Sequence, residues 1–198
     1  MFPTTLWSTI RQAGKHDPGA LQRFAERYRP VLHDFVRRRG FGESDAEDVC
    51  QDVFVRVLSG AVLTGADPAK GRFRSLLLTI TTRVMADLAR RMQRRRTESL
   101  EREPADRDPD FDQSWALHLA RTALDRLREE GSPYYEVLVD HLSGKPQDRK
   151  RLWNARRKLI ALIRHEVALT CSSHREFEEE VAYLSGFLRP GLQKPKKE

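Results

Sequence analysis

The sequence predicts an all-α protein built as two small helical domains joined by an acidic linker. Three observations carry this reading. Apolar residues recur at spacings of three and four along nearly the whole chain, which is the period of a helix with one buried face. Nowhere does an apolar/polar alternation stand between turn residues, as a half-buried strand requires. The composition also changes abruptly over 97–112, where seven acids face two arginines and only Leu100, Ala105 and Phe111 are apolar. Such a stretch buries too little to offset the entropy of ordering it. The expected division is 1–96 for a first helical domain, 97–112 for the linker, 113–171 for a second helical domain, and 172–198 for an amphipathic helix with a basic tail.

Each element has a local reason. A short helix is expected over Thr5–Ala13, stopped by the turn residues His16, Asp17, Pro18 and Gly19. A second, from about Pro18 to Arg39, contains Pro30, which should kink or interrupt it because proline has no N–H to bond back one turn. Ser44 with Glu47 three residues on is a capping-box pattern that should open a helix running to about Leu58, with Ala46, Val49, Cys50, Val53 and Val57 as its stripe. After a glycine-punctuated segment from Gly60 to Gly71, a long helix from Phe73 to about Arg96 carries Phe73, Leu77, Ile80, Val84 and Leu88 on one side. Beyond the linker, Ala116, Leu119, Ala120, Ala123 and Leu127 mark a further helix, followed by Tyr134–Leu142 and Asp148 to about Thr170. Ser173 and Glu176 form a second capping box, opening a last helix with Phe177, Val181, Leu184 and Leu188 at coiled-coil spacing. The tail Lys194–Glu198 is expected to be disordered.

Composition removes several classes of function. The chain has 198 residues, 36 Lys+Arg against 29 Asp+Glu, a net charge of +7 and a sequence pI near 9.7. No apolar run approaches the ~20 residues that span a bilayer, and Met1–Ala13 lacks the order of a secretory signal, so no membrane insertion and a cytoplasmic location are expected. Cys50 and Cys171 have no ligand spacing, and no metal or other cofactor is expected. Six histidines never form an HxxxH pair, and neither a GxSxG elbow nor a Gly-rich phosphate loop occurs. No catalytic residue is assigned, and the chain reads as a non-enzyme.

What remains is charge in particular places. Residues 90–96 hold five arginines, and Arg83, Arg90 and Arg94 fall on one edge of their helix, opposite much of the apolar stripe. Cations at a helix C-terminus also complement its dipole, so this cluster reads either as nucleic-acid contact or as helix termination. Phe73, next to a glycine-flanked loop, is expected to be an exposed aromatic able to receive an unstacked base. A second cluster, Arg149, Lys150, Arg151, Arg156, Arg157, Lys158 and Arg164, follows a helix and the short turn Ser143–Gln147. Helix, glycine-containing turn and basic helix is a helix-turn-helix pattern, and a solvated charged face explains it equally well. Asp48, Gln51, Asp52 and Val55 lie away from their helix's apolar stripe and suggest either a docking face for a basic or amide-rich partner or a plain solvated exterior.

These residues resemble a known family. Asp45 to Leu58 resembles region 2.2 of sigma-70 family RNA polymerase sigma factors, and Gly71 through Arg96 resembles regions 2.3 and 2.4. With a short linker and a basic C-terminal helix, the chain is most similar to the extracytoplasmic-function (ECF) group. The resemblance covers 5–96 strongly and 112–170 more loosely. It implies a factor that binds core RNA polymerase and directs promoter recognition, DNA melting and transcription initiation. By position, it implies that Asp48, Gln51, Asp52 and Val55 meet the clamp coiled coil of the polymerase β′ subunit. It gives Phe73, Arg83, Asp87, Arg90, Arg91 and Arg94 to the -10 element of promoter DNA, and Arg149, Lys150, Arg151, Trp153 and Arg156 to the -35 element. The linker resembles the segment that threads toward the RNA channel.

The chain also departs from the family pattern. Leu76 stands where the family often has tryptophan, Arg83 where it often has asparagine, and about a dozen residues are missing between the equivalents of Leu142 and Asp148. Two rivals therefore stand beside this reading: a sigma-like regulator that docks on polymerase but has lost -35 recognition, and a helical interaction module without DNA function. The last helix, Ser173–Leu188, is either a lid on the second domain or a face for an anti-sigma factor.

Overall fold

The computed structural model describes residues 18–58, 72–93 and 107–188, and every regular element among them is an α-helix. In chain order these are α1 (Pro18–Arg38), α2 (Glu43–Leu58), α3 (Phe73–Gln93), α4 (Pro109–Glu129), α5 (Pro133–Leu142), α6 (Arg149–Thr170) and α7 (His174–Ser185). The helix expected over Thr5–Ala13, the segment Gly60–Gly71, most of the acidic stretch and the tail Lys194–Glu198 lie outside the described residues.

The all-α expectation holds, and the corrections are local. α1 runs through Pro30 without interruption. Pro30 and Glu26 are exposed, so the carbonyl left without its helical partner lies on a face that water reaches. On the other face Tyr28, Val31, Leu32 and Phe35 are buried, and each such side chain stabilises the helix by ~1.5–3 kcal/mol, which together outweighs the lost bond. α2 starts at Glu43 rather than after Ser44, its first turn closed by the Ala46 N–H donating to the Gly42 carbonyl at 2.9 Å. The expected capping partner Glu47 is instead paired with Arg29 of α1. Gly40, at φ 88°, makes the turn between α1 and α2 in the left-handed region that glycine enters without strain.

α4 begins inside the stretch expected to be linker. Asp108 caps it, its side chain accepting from the Asp110 and Phe111 N–H groups, and Pro109 occupies the first turn, where a missing donor costs nothing. The capping Asp108 is held by Arg39, and Phe111 and Asp112 are fully buried. What orders the end of this acidic stretch is therefore a set of distant partners, which the local composition does not reveal.

The larger apolar core joins α1, α2 and α3 to the first half of α4, the last turns of α6, and α7. Its centre is aromatic. Tyr28 stacks on Trp115 at 5.4 Å with the planes 8° apart, and Phe35, Phe73 and Phe111 pack around that pair. A smaller core holds Ala123 and Leu127 of α4, Val137 and Leu138 of α5, and Ala155 and Leu162 of α6. α5 and α6 are both capped by side chains, Ser132 accepting from the Tyr134 N–H and Asp148 from the Arg151 N–H at 2.8 Å. α4 and α6 thus span both cores. In α7 the cap is Ser173, accepting from the Glu176 N–H at 3.2 Å, while the Glu176 carboxylate takes the N–H of Ser172 rather than completing the box on Ser173. No helix among the described residues is long and apolar enough to cross a membrane.

Candidate polymerase and nucleic-acid interface

α2 turns Ala46, Val49, Cys50, Val53 and Val57 into the core, and the same rotation puts Asp48, Gln51, Asp52 and Val55 outward. All four are exposed, and Val55 keeps 59% of its surface in solvent, a high value for a valine beside a core. A surface groove of about 190 Å³ lies beside this ridge, with Asp48, Gln51 and Asp52 on one wall and Leu88 and Arg91 of α3 on the other. The acidic ridge and the arginine edge are therefore neighbours.

α3 is bonded to α2 across that groove. Asp87 accepts from Arg56 of α2 at 2.8 Å and from Arg90, one turn along, at 2.6 Å. These two hydrogen bonds, that from Arg56 first, hold the Asp87 carboxyl below the usual carboxylate range. Asp87, expected at the -10 DNA, is thus engaged in positioning α3 and orienting Arg90. Arg83, Arg90 and Arg91 are exposed along the helix, while Arg94 lies outside the described residues.

Phe73 is corrected. It is not an exposed base receptor: only 1% of its surface is accessible, and its ring packs against Phe24, Tyr28 and Trp115. The reason is the period itself. Phe73 shares the face of Leu77 and Ile80, and α1 and α4 close over that face.

The basic end of α6 faces outward. Arg149, Lys150, Arg151 and Arg156 are exposed, and Trp153 is 56% exposed with the Arg157 guanidinium over its ring at 4.6 Å. Gly144, at φ 80°, turns the chain between α5 and α6, and Arg156 approaches the His141 Nε2 at 2.8 Å across that turn. Behind the exposed face, Ala155 and Leu162 anchor α6 in the smaller core.

Other groups have structural partners. His33, Glu43 and Glu47 bring ligand-type atoms within 4.8 Å of one another, but Arg37 lies 3.3 Å from Glu43 and Arg29 pairs with Glu47, so arginines already balance these carboxylates. Cys50 and Cys171 are free and buried, and burial pushes both thiols up to about 12, where the reactive thiolate is scarce. The sequence reading missed the polar groups at the start of α3. Arg74 is fully buried and bonded to Asp112 of α4 and Glu180 of α7, while Arg72 meets Glu179 and Glu180. The only sequence signal was the pair of arginines flanking Phe73, since their partners lie far along the chain.

Residues 24–96, which span α1, α2 and α3 with their exposed ridge, match the family model of sigma-70 region 2. The match covers less than half of the chain, and no curated protein and no solved structure matches it. Sigma-70 factors act in transcription initiation, bind core RNA polymerase and promoter DNA, and are not enzymes. The ridge on α2 and the arginine edge of α3 both fall inside the matched residues.

Proposed function

We propose that the chain is an ECF-type sigma factor that acts in the cytoplasm. Asp48, Gln51, Asp52 and Val55 dock on the clamp coiled coil of the β′ subunit, Arg83, Arg90 and Arg91 face the -10 DNA, and the N-terminal turns of α6 read the -35 element. Arg94 extends the same edge by sequence. The observation that carries this reading is the exposed Asp48, Gln51, Asp52 ridge standing across one groove from Arg91, inside the region that matches the sigma model. A protein partner seated on the ridge would leave the cationic edge beside it for separated DNA strands, whose phosphates supply the charge that arginine neutralises.

The exposed face of α6 supports retained -35 recognition over its loss. Arg149, Lys150, Arg151, Trp153 and Arg156 have no packing role that requires them outside, and helix-turn-helix readers place such side chains at the start of the second helix. α7 packs through Phe177 and Leu184 on the larger core shared with α1, α2 and α3, which supports a packing role wider than a lid on the second domain.

The test is capture of core polymerase followed by run-off transcription. Asp48→Ala/Asp52→Ala should weaken capture at least tenfold, with stability within about 0.5 kcal/mol of wild type because both side chains are exposed. Arg83→Ala/Arg90→Ala should keep capture and lose factor-dependent transcripts. Wild-type protein that ignores core polymerase at low ionic strength overturns the reading.

A further inference from the structure

Domains of one chain move against each other by default unless the surface between them is large and apolar. In this chain the larger core runs without a break from α1, α2 and α3 into α4, α6 and α7. Tyr28 of α1 stacks on Trp115 of α4 at 5.4 Å, and Phe35 of α1 meets Phe111 of α4 edge-on at 5.1 Å. All four rings keep at most 1% of their surface in solvent. Charge then fixes the register of this seam. Arg74 of α3 is fully buried and bonded to Asp112 of α4 and, at 2.7 Å, to Glu180 of α7, both of them buried. Such a triad adds little net stability, but sliding one helix past another would strand a charge in a dry interior, so a single arrangement is tolerated. Arg39, just past α1, holds the Asp108 cap of α4, Arg27 of α1 holds the buried Glu166 of α6, and the Ser114 hydroxyl of α4 donates to Asp34 of α1 at 2.6 Å.

We propose that the chain meets core polymerase as one closed body: α4, α6 and α7 stay seated on α1 and α3 while the α2 ridge docks, and the seam does not open. The surfaces assigned to partners need no opening. Asp48, Gln51, Asp52 and Val55 on α2, Arg83, Arg90 and Arg91 on α3, and Arg149, Lys150, Arg151, Trp153 and Arg156 on α6 are all exposed with the seam shut. Parting the helices would bring four buried rings into water and free no side chain that docking uses, so polymerase has no differential contact with which to drive it. The consequence is that the basic faces of α3 and α6 are carried at one fixed separation. The proposal rests on the sigma reading for the identity of the partner, and it adds the conformation in which that partner is met.

The experiment is hydrogen exchange read by mass spectrometry on the wild-type full chain, free and with core polymerase. In the free chain the slowest amides of 28–36 and 111–119 should exchange within about tenfold of each other, because a cooperative unit opens as a whole, and a wider gap overturns the single body. Adding core polymerase should not speed 111–119 by more than about threefold, and a larger rise overturns the closed working form. A disulfide across the seam gives a second readout. Asp34→Cys/Ser114→Cys places thiols where a 2.6 Å hydrogen bond now joins α1 to α4, outside every assigned binding surface, while the native Cys50 and Cys171 are buried and poorly reactive. The oxidised variant should capture core polymerase within about threefold of the same protein after dithiothreitol. A larger deficit that reduction restores overturns the proposal, and the exchange measurement decides alone if the pair does not close. Wild-type protein that captures no polymerase removes the sigma reading, and exchange in the free chain still judges the single body. Capture accompanied by faster exchange at 111–119 keeps the sigma reading and removes the closed form.

Discussion

Replacing Phe73 with alanine distinguishes a core aromatic from a base receptor, since the two roles predict opposite outcomes. The ring centre lies 5.3 Å from Tyr28, 5.9 Å from Phe24 and 6.1 Å from Trp115. Burying a phenylalanine stabilises by ~1.5–3 kcal/mol, and favourable aromatic pairs add ~0.5–1.5 kcal/mol. A cavity left between α1, α3 and α4 brings the cost of Phe73→Ala to ~3–5 kcal/mol. That is a large part of the ~5–15 kcal/mol by which folded domains exceed their unfolded state. At ~2–4 °C per kcal/mol for a chain of this size, the midpoint should fall by about 6–20 °C. Urea unfolding followed by tryptophan fluorescence is the natural assay, because Trp115 touches the same ring. Phe73→Leu, closer in volume, should cost less than about 1.5 kcal/mol. A Phe73→Ala protein that loses under about 1 kcal/mol yet fails to hold single-stranded DNA would refute the burial argument and restore the base-receptor role.

Three further outcomes follow from the geometry. Asp87→Asn should flatten the acid limb of the stability profile. The Asp87 carboxyl is held low by Arg56 and then Arg90, so its contribution is present above the unfolded value near ~4 and is lost as pH falls through the lower folded value. For a pair this exposed the effect is ~1 kcal/mol or less, and pH-dependent urea midpoints will show it. Burial first, then Arg27 and Arg121, lowers the His118 imidazole to about 4, so it should titrate there in NMR rather than near its ordinary value. Stability should decline between roughly pH 6.5 and 4 as the unfolded state takes that proton first, and His118→Gln should reduce the decline. Arg149→Ala/Arg151→Ala should leave the fold intact and lower the log–log salt slope of duplex binding by about 0.9 for each phosphate contact removed, and an unchanged slope would place those arginines off the DNA.

Much of the architecture was legible because helix formation is local. The three-and-four spacing that marked α2 and α3 is the same geometry that buries Val49, Val53, Leu77 and Val84, and it leaves Asp48, Asp52, Arg83 and Arg90 in solvent. The cap was readable at Ser173, which accepts from the Glu176 N–H, and misread at Ser44, where Arg29 claims Glu47. The ridge on α2 and the basic face of α6 needed only helix rotation to place them outside.

Tertiary structure decided everything that depends on which helix covers which. Periodicity put Phe73 on an apolar stripe but could not say whether that stripe ends in solvent or under α1 and α4. Composition marked 97–112 as unable to order itself, yet Asp108 is held by Arg39 and Asp112 by Arg74, partners drawn from the first bundle. The pairing of Arg74 with Glu180, 106 positions later, leaves no local trace. A charge one turn away is set by helix geometry, whereas one across a helix interface is set by the path of the whole chain, and in this protein that path brings α7 onto the start of α3.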